Sequence, residues 1–337
     1  EFTKRAFMNG KMDLSQAEAV ADVIASRSAA AHKVAVSQMR GGFSRKLQLL
    51  RAQLLKFTSL IELELDFSEE DVEFADRSQL KALSSEIESD LTRLINSFST
   101  GNAVKNGVPV AIVGETNAGK STLLNLLLGD DKAIVSDIHG TTRDIIEDTT
   151  DIGGMLFRFI DTAGIRETTD TIENLGIKRS YGAIEKAQIV LWMIDSTQVS
   201  EHIDWMAERI VPRTEGKQLF LLFNKIDKLS EEERAVLDGM FADIDARRFF
   251  ISAKFDNGLD AVRDALVEAS HMAEIDDNDV VVTNMRHYEA LVTAHTAILK
   301  VQEGLVTGLS GEFLSMDLHD CLDALGSIVG QISSDEV

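Results

Sequence analysis

The chain has 337 residues, 44% hydrophobic and 27% charged with two prolines, which fits two folded units and excludes a largely disordered protein. A formal charge of −22 excludes attraction of nucleic acid over the whole surface. The charge is uneven: residues 1 to 58 hold ten Lys/Arg and four Asp/Glu, residues 273 to 337 hold two and twelve, so RNA contact is expected in the first region. Cys321, the single cysteine, can form no internal disulfide and has no zinc spacing; it reads as a small core residue in a reducing, cytoplasmic setting. No run of 18 apolar residues occurs, and Glu1-Phe2-Thr3-Lys4-Arg5 carries no apolar signal core, so neither membrane span nor secretion signal is expected. The chain starts without Met, as a fragment would.

From Asp13 the pattern is helical: Asp13 and Gln16 have capping-box spacing, and Leu14, Ala17, Val20, Ala21 and Ile24 recur with a period near 3.6. Gly41-Gly42 marks a break, and Leu47, Leu50, Leu54, Phe57, Ile61 and Leu65 form a second stripe. Glu69-Glu70-Asp71 suggests an exposed connection before a helix over roughly Ser78 to Phe98. Ser99-Thr100-Gly101-Asn102 reads as a loop, where we place a domain boundary. Buried strands of a mainly parallel sheet are expected at Val108–Val113, Met155–Ile160, Ile189–Ile194, Leu219–Phe223 and Phe249–Ile251, with Gly153-Gly154 as a hairpin turn. Helical spacing returns beyond about His271, through Tyr288, Leu291, His295 and Ile298, then Leu318, Leu322, Leu325 and Ile328. The expected fold class is α/β plus all-α, with residues 104–272 as an α/β domain inserted between two halves of a helical domain, 1–103 and 273–337.

Gly114-Glu115-Thr116-Asn117-Ala118-Gly119-Lys120-Ser121 fits G-x-x-x-x-G-K-S between an apolar strand and the helical run that opens at Thr122. In that context the backbone N–H groups cradle a β-phosphate, Lys120 balances β/γ charge and the Ser121 hydroxyl ligates Mg²⁺. Asp161-Thr162-Ala163-Gly164 closes the strand ending at Ile160, where Asp161 can hold the Mg²⁺ shell and Gly164 N–H can sense a γ-phosphate. Asn224-Lys225-Ile226-Asp227 follows another apolar run. Asp227 there can accept N1–H and the exocyclic amine of guanine, a pair adenine lacks, which selects GTP over ATP. Ser252-Ala253-Lys254 follows the next strand, within reach of the base carbonyl. Gly140-Thr141-Thr142-Arg143-Asp144 lies between the first two elements; Thr142 is the choice for a Mg²⁺ contact, with Thr141 as competitor. The histidines show no metal spacing. Arg40, Arg45, Lys46 and Arg51 read either as a solvated helix face or as a contact for RNA or protein.

The set GETNAGKS, GTTRD, DTAG, NKID and SAK resembles the translation-factor-related GTPases grouped with Era and EngA. The opening EFTKRAFMNGKMDLSQAEAVADVIASRS and the run DTAGIRETTDTIENLGIKRS narrow the resemblance to the MnmE (TrmE) family of tRNA-modification GTPases, over nearly the whole chain. The resemblance implies a Ras-like P-loop GTPase domain in a discontinuous helical domain. It also implies a homodimer working with the flavoprotein MnmG (GidA) on the wobble uridine of certain tRNAs, and K⁺-assisted GTP hydrolysis when two G domains meet. Asn117 matches the family's K⁺ ligand, although bracing the loop is an alternative role. Ile165 stands where Ras-like GTPases carry the water-orienting glutamine and can form no hydrogen bond. Glu173, twelve residues after Asp161, matches the glutamate that positions water in the family.

The chain departs from the family pattern at three places. Thr116 replaces a common proline; only the trailing edge of the family's folate-binding domain is expected, at residues 1–7; and the terminal C-x-G-K motif is not found. The fragment is therefore expected to hydrolyse GTP without modifying tRNA alone. The alternatives are a ribosome-assembly GTPase of the Era or EngA kind, which would show an RNA-binding appendage or a second P-loop, and a nucleotide-gated scaffold whose helical arms move with the bound nucleotide.

Overall fold

The computed structural model describes residues 1–66, 77–129, 147–160, 181–198, 201–270 and 280–330. The chain divides into two compact units, Glu1–Lys105 with Ile275–Val337, and Asn106–Glu274. In the first unit, α1 (Phe2–Met8), α2 (Leu14–Ala25) and α3 (Ala29–Met39) precede the long helices α4 (Gly42–Asp66) and α5 (Arg77–Asn106). The Asp13 carboxylate and the Gln16 side chain form a reciprocal capping box that starts α2. Ser28 caps α3 by accepting from Ala31 N–H, a restart inside what reads in sequence as one continuous helical run.

Leu47, Leu50, Leu54, Phe57 and Ile61 of α4 line one stripe of the helical core, packed with Leu80, Ile87, Leu91 and Leu94 of α5. The second half of this unit supplies Leu291 and Ile298 from a long helix, Met285–Thr307, and Leu318, Cys321 and Leu325 from the next, Gly311–Val329. Burial pushes the Cys321 thiol up to about 12, so it behaves as a small core hydrophobe.

The expected loop at Ser99–Asn102 is helix instead. Gly101 is there because the segment 280–284 crosses α5: a Cβ at Gly101 would stand 2.1 Å from the Val282 carbonyl. Val282 N–H donates to Ser97 Oγ in the same crossing. A glycine that permits close packing inside a helix looks in sequence like one that ends it.

The α/β unit has a six-stranded sheet: β1 (Val108–Gly114), β2 (Asp148–Ile152), β3 (Met155–Ile160), β4 (Ile189–Asp195), β5 (Gln218–Asn224) and β6 (Arg247–Phe250), in the order β2-β3-β1-β4-β5-β6. Only β2 runs antiparallel, joined to β3 by Gly153 and Gly154 with φ of 63° and 83°. Its sequence, Asp-Thr-Thr-Asp-Ile, is too polar to be read as a strand, which suits an edge. Helices α6 (Lys120–Leu128), α7 (Glu201–Ile210), α8 (Glu231–Met240) and α9 (Leu259–Ala269) belong to this unit, and the two long C-terminal helices become α10 (Met285–Thr307) and α11 (Gly311–Val329). Trp192, Ile194, Leu221 and Phe223 build a core on one face of the sheet with Ile184, Ile203, Leu237 and Phe241.

A polar node centred on the buried His287 locks α2 to α10. Glu18 accepts from His287 Nε2 at 2.8 Å and pairs with Arg286 at 3.0 Å; Arg286 also donates to the carbonyls of Ser327 and Ile328 at the end of α11. Burial drives the His287 pKa down to about 4, with the Arg286 and Lys105 charges adding to the effect and Glu18 opposing it. The folded value lies below the ordinary 6.5 of an exposed histidine, so protonation favours the unfolded chain. Stability from this group is complete above about pH 6.5 and is lost as pH falls toward about 4, by up to about 3 kcal/mol. Thermal unfolding followed over this range should show the loss, and His287→Gln should flatten it; equal slopes in the two proteins would assign the loss to other groups.

Candidate functional site

The apolar strand β1 is buried along most of its length and ends at the carboxyl edge of the sheet, beside the ends of β4, β5 and β6. The chain then turns through left-handed backbone at Gly114 (φ 142°), Asn117 (φ 65°) and Gly119 (φ 107°) before α6 begins at Lys120. Gly119 offers no capping side chain, so the first N–H groups of α6 meet no side-chain acceptor from the cap and form an anion-binding end. Lys120 folds back over the loop, donating to the carbonyls of Gly114 at 2.8 Å and Glu115 at 2.6 Å. Burial pushes its ammonium below the usual lysine range, against the pull of the Glu115 carboxylate. Thr116 and Asn117 stand exposed at the tip of the loop, Ala118 is buried beneath it, and Ser121 and Thr122 lie in the first turn of α6.

Asn224, the last residue of β5, is only 4% exposed. Its Nδ2 donates to the Ala118 carbonyl at 2.7 Å and its Oδ1 accepts from Ala253 N–H at 2.9 Å. One amide thus ties the phosphate loop to the loop after β6, and both its halves are satisfied. The contact requires Gly119, whose Cβ would stand 2.3 Å from Asn224 Nδ2.

Asp227 follows within the same turn, in a short 3₁₀ segment, and accepts from Ser252 Oγ at 2.6 Å. That hydrogen bond is the main cause holding the Asp227 carboxyl below the usual range, so it is an ionised acceptor at neutral pH. Ser252 is buried and pairs its backbone with Asn257, closing the loop that carries Ala253 and Lys254; the Lys254 ammonium stands over the Phe255 ring at 5.2 Å.

Lys225, in left-handed backbone at φ 68°, makes an ion pair with Asp195 at the end of β4. Asp195 also accepts from Thr197 N–H at 3.0 Å and Thr197 Oγ1 at 2.7 Å. Burial works to raise the Asp195 pKa, but the Lys225 bond and the two from Thr197 outweigh it and hold the carboxyl low. Sequence reading misses Asp195, although it shares a legible signal with Asp161: a carboxylate ending an apolar strand run. The structure therefore gathers Ala118, Gly119, Asn224 and Ala253 at one point, Asp227 with Ser252 at a second, and Lys225 with Asp195 at a third. Thr141, Thr142, Asp161, Thr162, Ala163, Gly164, Ile165 and Glu173 lie outside the described residues.

A family model described as the MnmE helical domain matches residues 14–337. The curated protein named tRNA modification GTPase MnmE from Bacteroides fragilis is 59% identical over 340 residues, covering 100% of this chain and 73% of its own length. Its namesake from Bacteroides thetaiotaomicron is 58% identical with the same coverage, and that from Christiangramia forsetii is 50% identical over 348 residues, again at 100% and 73%. Among solved structures, a variant of Era from Aquifex aeolicus bound to GDP and aluminium fluoride aligns at 27% identity over 56% of this chain and 66% of its own, with a TM-score of 0.39.

Asp195→Asn removes the charge that anchors Lys225 while keeping shape. Titration with a fluorescent guanine nucleotide should show affinity reduced about tenfold, and the unfolding temperature should fall by a few degrees as the contacts of the carboxylate weaken. Unaltered affinity would mean that Lys225 is positioned without Asp195.

Proposed function

Because the chain belongs to the MnmE family of tRNA modification GTPases, we propose that it is the K⁺-dependent, self-associating form of that enzyme, acting with the flavoprotein MnmG on the C5 position of the tRNA wobble uridine. The observation that carries the nucleotide half of this reading is the Asn224 amide, bonded on one side to the phosphate loop and on the other to the loop beside Asp227. Phosphate and base contacts are thereby parts of one rigid edge, as binding of a whole nucleotide needs.

In this reading the loop N–H groups and Lys120 bind the β- and γ-phosphates, and the Asp227 carboxylate reads the guanine edge. Ser252, by occupying one oxygen of Asp227, fixes the direction of the rest of that carboxylate. Among the described residues Lys120 bonds to loop carbonyls, contacts that a phosphate oxygen can replace at the same ammonium. Oxygen donors suit the hard cations the reaction calls for: Ser121, Thr142 and, through its outer shell, Asp161 would hold Mg²⁺, and the exposed amide of Asn117 would hold K⁺. Bound there, the two cations would neutralise charge on the phosphates. Glu173, through a bridging water, orients the water whose oxygen bonds to the γ-phosphorus as the bond from that phosphorus to the β,γ-bridging oxygen breaks, releasing GDP and phosphate. Meeting of two G domains completes the site, and hydrolysis resets the assembly with MnmG.

Glu173→Ala should lower turnover about 100-fold or more while GTP and GDP affinities stay within about twofold. Replacing K⁺ by Na⁺ should slow the unaltered protein and abolish dimerisation with GDP and aluminium fluoride in sedimentation. Unchanged turnover in the variant would remove Glu173 from the mechanism, and equal rates in the two salts would remove Asn117 as a K⁺ ligand.

A further inference from the structure

We propose that the outer face of α3 and α4 in the helical unit is a binding surface for the sugar-phosphate backbone of tRNA. The inference rests on the tRNA-modification reading above and adds where the RNA lies. In a chain with 56 Asp and Glu against 34 Lys and Arg, the stretch from Val23 to Ile61 contains no acidic residue and seven basic ones. The fold turns that stretch into a surface. Arg45 Nη1 donates to the Arg40 carbonyl at 3.0 Å, which brings the end of α3 and the start of α4 together with both side chains exposed. Along α4, Arg45, Leu49, Ala52 and Lys56 are all exposed. At 100° per residue, Arg45 and Lys56 point within about 20° of one another and lie about 16 Å apart along the helix axis.

The carboxylates of α2 and α5 are already engaged, and Glu62, near the end of α4, lies 3.7 Å from His319. On α2, Asp13 caps the helix, Glu18 holds Arg286 and His287, and Asp22 pairs with Lys105 at 2.8 Å. On α5, Asp90 lies between Lys46 and Arg93, Glu86 accepts from Gln53 and Glu88 is bonded to Thr92. By contrast, Arg27, Arg40, Arg45 and Lys56 form no ion pair among the described residues. The unit's uncompensated acids lie chiefly on α10 and α11, where Glu289, Glu303, Glu312, Asp320 and Asp323 repel a polyanion and leave α3–α4 as the face it can approach. A folded protein of this net charge gains nothing for its solubility from a one-signed basic face; a backbone of regularly spaced phosphates is the partner whose charge complements it.

The test compares the unaltered protein, the triple variant Arg40→Gln/Arg45→Gln/Lys56→Gln and a control triple variant, Lys186→Gln/Arg247→Gln/Lys300→Gln, for affinity to unmodified tRNA at several salt concentrations. The first variant should bind about tenfold more weakly or worse near physiological salt, and its slope of log affinity against log salt should fall by about 0.7 to 0.9 for each phosphate no longer neutralised. GTP hydrolysis and unfolding temperature should match the unaltered protein, and the control should bind tRNA nearly as before. Equal weakening in both variants would reduce the effect to net charge and overturn the assignment. Unchanged binding in the first variant would overturn it too, including the case in which self-association, read by sedimentation in the same samples, disappears instead. If the unaltered protein binds no tRNA at any salt, the tRNA reading itself fails first.

Discussion

A single buried amide sets the geometry on which the nucleotide site depends. Asn224 ends β5 with both amide atoms committed, one to the phosphate loop at Ala118 and one to the β6 loop at Ala253. A buried amide left half-satisfied costs more than a solvated one, so neither loop can move independently without leaving Asn224 unpaired. The absent side chain of Gly119 is the other half of the device, because the amide occupies the space a Cβ would take. The glycine-rich loop, the Asn224–Asp227 turn and the loop after β6 consequently behave as one edge of the sheet. The ion pair between Asp195 and Lys225 adds β4 to that edge.

The two units differ in charge and in how they are packed. The α/β unit holds its ligand groups on strand ends backed by residues such as Trp192 and Phe223, which fixes positions well. The helical unit is joined through partly buried polar contacts, Glu18 with Arg286 and His287, and through the crossing of segment 280–284 over Gly101. These contacts bring residues far apart in sequence together, so the unit is continuous in space although the α/β unit interrupts it in the chain. Its charge is strongly polar, basic on α3–α4 and acidic on α10–α11.

Short-range signals are the legible ones. The glycine-rich loop, the Asn224–Asp227 turn and the Asp13 capping box are each defined within a few residues, so they can be read locally. Strands β1, β4 and β5 are readable because burial on both faces leaves a nearly continuous apolar run, and β3 because Arg158 alone interrupts its run. What escapes depends on distant partners or on edges. Strand β2 is polar and stands at the edge of the sheet among the described residues; Ser99–Asn102 continues a helix because Gly101 admits a crossing segment; and Asp195 gains its role only when Lys225 folds against it. His287 reads as an ordinary histidine because Glu18 lies hundreds of residues earlier.

The most direct test of this account is the affinity of Asn224→Ala for GDP and for a non-hydrolysable GTP analogue, measured calorimetrically beside circular dichroism of the same protein. Losing both bonds of a buried amide corresponds to about 2 kcal/mol or more, so both nucleotides should bind about 30-fold more weakly or worse in a protein that is still folded. A folded Asn224→Ala protein that binds either nucleotide as tightly as the original would contradict the claim that this amide holds the site together.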